Sequence, residues 1–150
     1  MWRKIIGVIV GLVVAGAAIA VVEGISSLVY RMPAGLDLND KEAMKAWVSS
    51  LPFGAFLFVL AAHVIGAFAG SFVCAAIVRK PWFIGTLIIA GLLLLGGTAN
   101  LFLVPHPVWF GIADLILYMP SAFAGLAVAS HLFPCDCQSC IGNENNDAAL

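Results

Sequence analysis

Charge is scarce in this chain. Only 10% of its 150 residues are Asp, Glu, Lys or Arg, against about 25% in ordinary soluble domains. The formal net charge is -1, so there is no basic surface to suggest nucleic acid as a partner. Four runs, 5–29, 53–78, 82–104 and 108–132, contain no Lys or Arg at all. Nothing within them can hold a phosphate or carboxylate headgroup by charge. The chain also lacks the serine-hydrolase elbow, the zinc-protease helix, the phosphate loop and the dinucleotide fingerprint,. Its glycines stand in apolar runs at helix-packing spacing, not in loops that cradle phosphate. These absences weigh against an enzyme. No stretch outside the four runs is long enough to fold as a separate soluble domain.

What is present is hydrocarbon. Hydrophobic residues make up 63% of the chain, and the mean hydropathy is +1.08. Each run exceeds the ~20 residues that a helix needs to cross a bilayer. Arg3 and Lys4 precede an apolar stretch, as in a signal peptide. That stretch is longer than the 7–15 residues of a signal-peptide core, and a retained first helix is expected. The expected fold class is an all-α membrane protein: four transmembrane helices in an antiparallel bundle over residues 1–132. The Cys-containing tail, 133–150, is expected to be disordered beyond Cys140.

Arg3, Lys4, Arg79 and Lys80 flank the amino terminus and the second loop, against Arg31, Lys41 and Lys45 in the first. That small excess places both termini in the cytoplasm. The first loop is the only sizeable polar segment. Met32-Pro33-Ala34-Gly35 reads as a turn, and Lys41–Ser50 as a short amphipathic helix capped by Asn39, with Met44, Trp47 and Val48 on one side. That side either lies on the membrane interface or belongs to an ordinary linking helix. Lys80-Pro81 and Pro105-His106-Pro107 make sharp turns. His106 reads as an exposed loop residue beside the mouth of any pocket. Trp2 and Trp82 fall at one interface, Trp47 and Trp109 at the other. Ala67-Phe68-Ala69-Gly70 recurs as Ala122-Phe123-Ala124-Gly125, a faint repeat that chance explains equally well.

Glu23 interrupts a run with no other formal charge. Ionising it in hydrocarbon costs at least ~2.5 kcal/mol, so it needs a partner, a proton or water. At ~1.5 Å rise per residue, Glu23 lies ~9 Å from the loop-side end of its helix, His63 ~15 Å, Asn100 ~6 Å and Asp114 ~9 Å. All four fall in one half of the membrane or at its midplane. Each shares a helix side with small residues: Glu23 with Gly16, Ala20 and Ser27; His63 with Gly66, Gly70 and Cys74. Asn100 shares one with Gly96 and Gly97, and Asp114 with Tyr118, Ser121 and Gly125. Small residues mark close helix approach in membranes, so the polar groups are expected to converge in a pocket. Two carboxylates there resist ionising together, and a histidine can pair with either. Such a set suits a proton-linked carrier, with Glu23, His63, Asn100, Asp114 and Tyr118 as its proton or substrate site; it equally suits interhelical hydrogen bonding.

His131, Cys135, Cys137 and Cys140 bring one imidazole and three thiols within ten residues. That set can complete a site for zinc or copper, although the spacing is not a standard zinc-finger one; lipidation of the cysteines is the alternative. Cys74, inside the second run, reads as packing.

A carboxylate in the first of four short membrane helices resembles the layout of the small multidrug resistance transporters. That resemblance implies proton-coupled transport and a dimer. The strings Leu51-Pro52-Phe53-Gly54 and Asn100-Leu-Phe-Leu-Val-Pro105-His106-Pro107 resemble those of small bacterial membrane proteins without an assigned activity. They imply the inner (cytoplasmic) membrane and no particular chemistry. Three readings follow: a carrier of a proton-coupled cation or small solute, acting as a homo-oligomer; a non-catalytic subunit of a larger membrane complex; and a metal-handling protein using the tail.

Overall fold

The computed structural model describes residues 2–37, 40–79, 82–104 and 106–133. Lys80, Pro81, Pro105 and the tail from 134, with Cys135, Cys137 and Cys140, lie outside the described residues. The chain is all-α: α1 (Trp2–Val29), α2 (Lys41–Ser50), α3 (Phe53–Val78), α4 (Phe83–Leu103) and α5 (Val108–Leu132). Four of these are long and apolar enough to cross a membrane; at 1.5 Å per residue they span ~31–42 Å, against a hydrocarbon core of ~30 Å. Their outward faces carry large apolar residues such as Ile5, Val13, Leu95 and Ile116. Such a surface calls for lipid, since water would be unfavourable against it.

α3 is the central helix. One side packs along α1 and another along α5, while α4 closes against α5 and touches α3 and α1 more lightly. The α1–α3 seam is built from small residues. A Cβ on Gly11 would stand 2.6 Å from the Gly70 carbonyl oxygen, and one on Gly70 would stand 2.8 Å from the Gly11 carbonyl oxygen. Neither backbone can yield, so glycine sets how closely these helices approach. Gly125 does the same for α5, lying directly against the backbone at Phe68 and Phe72. Ala67 and Ala122, from the two repeated strings, are fully buried in one cluster. Both strings thus lie where α3 crosses α5.

Antiparallel order is pinned at the ends. Arg3 near the start of α1 donates to the Ile77 carbonyl near the end of α3, at 2.9 Å. Lys4 lies 5.8 Å from the centre of the Trp82 ring. At the opposite end Tyr30 meets Phe58 edge-on, and Phe53 stacks on Trp109. α5 runs unbroken through Pro120, and the Ser121 hydroxyl donates to the Leu117 carbonyl at 2.6 Å.

The first loop differs from expectation in two ways. The cap of α2 is Asp40, whose carboxylate accepts from the amides of Glu42 and Ala43 at 3.0 and 3.1 Å; the expected cap, Asn39, lies outside the described residues. A helix that starts at Lys41 puts its first free amides within reach of residue 40. Secondly, Met44 and Val48 are buried against Phe56, Leu60 and Phe110. α2 makes no close backbone approach to another helix; side chains alone hold it across the end of the bundle.

Candidate functional site

The polar residues of three helices meet at one place. His63 on α3 is buried, with Nδ1 2.5 Å from Oδ1 of Asp114 on α5. Its other ring nitrogen, Nε2, faces Glu23 on α1, with Oε1 at 3.8 Å. The imidazole therefore stands between two carboxylates, one on each side. Tyr118, one turn after Asp114, stacks on the His63 ring with centres 5.2 Å apart and planes 27° from parallel. That contact fixes the ring plane, so that one nitrogen faces α5 and the other faces α1. Tyr118 is held in turn by Gly97: a Cβ there would stand 2.7 Å from the Tyr118 hydroxyl oxygen.

The two carboxylates have opposite surroundings. The Asp114 side chain is 1% exposed, whereas that of Glu23 is 44% exposed. Asp114 Oδ2 is buried without a hydrogen-bond partner. A lone buried acceptor costs ~1–3 kcal/mol. A polar bond between membrane helices returns on average ~0.6 kcal/mol. On those magnitudes the His63–Asp114 bond is a poor device for stability alone.

Glu23 opens into two hollows. The first is a cleft of ≈ 250 Å³ between α1 and α4, shared with Ile19, His63, Gly96, Asn100 and Tyr118. The second is a chamber of ≈ 340 Å³ beneath α2, where Tyr30, Trp47 and Phe56 join Glu23. The cleft exists because α1 and α4 barely touch. Gly16 on α1 and Gly96 on α4 have open space where a side chain would stand. The small residues on Glu23's side of α1 therefore do not meet another helix, contrary to the expected packing; Gly7, Gly11 and Ala15 form the buried face instead. Glu23 and Asn100 thus face free volume, His63 is buried but borders the cleft, and Asp114 is sealed by packing.

His106 is half-buried, not simply exposed. Its Nδ1–H donates to the Val104 carbonyl at 2.7 Å, and its ring stacks on Phe110 with centres 4.9 Å apart. Burial pushes its pKa below the usual histidine value; the Val104 hydrogen bond and the Asp114 charge oppose this in part,. It lines the α2 chamber together with Glu23. No local pattern in the chain reveals that chamber, because the side-chain attachment of α2 has no periodic signature beyond ordinary amphipathicity.

His131 lies exposed in the last turn of α5, and its three companion thiols lie outside the described residues. Among the described residues no cluster of three or more His, Cys, Asp or Glu side chains is placed to hold a metal. Cys74 is buried between α1 and α3, against Gly7. Compared with protein-family models, curated proteins and solved structures, the chain matches none.

An imidazole can carry its proton on either ring nitrogen. A backbone carbonyl can only accept, but an imidazole exchanges roles. The Nδ1···Oδ1 contact between His63 and Asp114 is therefore satisfied with either partner as the donor,. The 3.8 Å on the Glu23 side is too long for a direct hydrogen bond. One bridging water or a small rotation of the Glu23 side chain closes it.

Proposed function

We propose that this chain is a small membrane carrier that couples a proton to a cation or small solute, with Glu23, His63 and Asp114 as its proton path. The single observation that supports the reading is the position of Glu23. It is reachable from two hollows and faces a histidine whose far side bonds to a sealed acid. A carboxylate that trades a proton for a solute must be accessible on one side and linked to a protected store on the other. Asn100 supplies a donor and an acceptor in the cleft, and Tyr118 orients the histidine. Four helices enclose little volume. A second copy seated across the thin α1–α4 side would complete the path, with both termini in the cytoplasm.

The second reading is a non-catalytic subunit of a membrane complex. It draws on the His63–Asp114 bond, which also joins α3 to α5. It leaves the half-buried, reachable Glu23 without a role. Proton flux into liposomes separates the two. The carrier reading expects Glu23→Gln to lower flux by at least about tenfold relative to the parent. Equal flux in both proteins, or none in either, contradicts it.

A further inference from the structure

The chamber beneath α2 has a chemistry of its own. Its walls are almost entirely apolar: Trp47, Val48, Leu51, Phe56 and Val59 form most of them. Its polar side chains are Glu23, Ser26, Ser27, Tyr30 and His106, with Glu23 the one acid and no Lys or Arg among them. The Glu23 carboxylate opens into it, and so does His106. Because His106 Nδ1–H is spent on the Val104 carbonyl, the neutral ring offers only the Nε2 lone pair. The Ser27 hydroxyl donates to the Gly24 carbonyl of its own helix at 2.8 Å, which leaves its oxygen as an acceptor.

Three ligand classes are disfavoured on that lining. An anion finds no Lys or Arg in the wall. A hard inorganic cation wants about six to eight oxygen ligands, and this wall is mostly carbon. A freely soluble polar molecule would lose hydration against aromatic and aliphatic surface with little return. What fits is an apolar body with one donating end. The ≈ 340 Å³ volume equals roughly eleven water-sized groups at ~30 Å³ each, the size of a medium alkyl chain with its head.

We propose that the α2 chamber binds a medium-chain amphiphile whose head donates hydrogen bonds, an amine or an alcohol, with the head on Glu23 and the chain beneath α2. The inference shares Glu23 with the carrier reading but needs no proton transfer, so either can fail alone. α2 is suited to such a role. Only side chains hold it, chiefly Met44 and Val48, so it can rise and settle over a guest without breaking backbone pairing. Glu23 then recognises the head by charge or hydrogen bond, and chain length is read against Trp47 and Phe56.

The test is equilibrium binding of radiolabelled decylamine, decanol and decanoate to the full chain in phosphatidylcholine nanodiscs, with empty nanodiscs subtracted. Saturable excess binding of decylamine and decanol, about one per chain, is expected, with none for decanoate. Glu23→Gln should weaken decylamine about tenfold, the worth of one charged hydrogen bond, and change decanol little. Ser27→Phe, made at an exposed wall position, should fill the chamber and abolish both. Val59→Phe gives the same reading from α3 if Ser27→Phe does not yield folded protein. No excess over empty nanodiscs overturns the proposal. So does equal binding of decanoate, or full binding in a folded chamber-filling variant. Liposome proton flux is read separately: binding with no flux would sink the carrier reading alone.

Discussion

Helix α1 has two sides that carry the same kinds of residue and do opposite things. Along one, Gly7, Gly11 and Ala15 are buried against α3; a Cβ on Gly11 would strike the Gly70 carbonyl, and one on Gly7 would crowd Val78 and the Cys74 carbonyl. Along the other, Gly16, Ala20 and Gly24 are exposed, and neither Gly16 nor Gly24 has an atom within 4 Å of an added Cβ. The first side makes a dry seam. The second leaves a cleft against α4, into which Glu23 projects. Small residues permit a close approach, but only a facing helix turns that permission into a contact. The α3–α5 contact buries its polar pair, whereas the α1–α4 side holds the reachable carboxylate.

Bulk added at the buried glycines separates the two sides of α1 most sharply. Gly11→Leu or Gly125→Leu forces bulk against backbone and should destabilise the bundle by about 3 kcal/mol or more. Gly16→Leu and Gly91→Leu point into open space and should stay within about 0.5 kcal/mol. Reversible unfolding in mixed micelles measures both. Comparable losses on the two sides would mean that the α1–α4 side is also packed.

The next comparison sets stability against flux at the sealed pair. Replacing a buried ionic pair by apolar residues is often neutral or stabilising. His63→Leu combined with Asp114→Leu should therefore keep or raise the unfolding midpoint while proton flux disappears. A marked fall in stability would make the pair a structural clamp and favour the subunit reading.

A smaller effect lies at Gly97. An alanine there pushes on the far end of the Tyr118 side chain, not on backbone. The fold should survive, and the His63 ring should lose its stacking partner. Flux should fall by about tenfold, the scale of a sub-ångström to ångström misplacement of a reacting group. Unchanged flux would remove Tyr118 from the path.

The smallest effect is pH-dependent and sits at His106. Its folded pKa is lowered, so the folded protein holds its proton less tightly than the unfolded chain does. Stability from this group is complete above the ordinary histidine value of ~6.5. It is lost as pH falls below that value, through the lowered folded pKa. His106→Asn should flatten the acid limb of a stability–pH profile. An unaltered limb would assign it to other groups.

Much of the fold was legible in the chain. Four apolar runs fix four membrane helices, and Lys41–Ser50 forms the loop helix at the expected residues. Side-chain relations were harder to read. Gly7-xxx-Gly11 and Gly16-xxx-Ala20 look alike in sequence, and only the tertiary partner makes the first a seam and the second a gap. Nor does spacing alone reveal that His63 bonds to Asp114 and merely faces Glu23. That depends on how α3 crosses α5, which Gly125 sets by its contact with the Phe68 backbone. The cap at Asp40 in place of Asn39 is a one-residue shift between two good capping types, a choice that propensity does not resolve. The chamber depends on where Met44 and Val48 find partners far along the chain, which no local pattern encodes.

The proposed proton path requires Glu23 and His63 to act in series. A liposome proton-flux cycle of the parent, Glu23→Gln, His63→Asn and the double variant reads this directly. Serial action predicts that either single change removes as much flux as both together. Losses that multiply independently, or a His63→Asn protein that conducts like the parent, would contradict it.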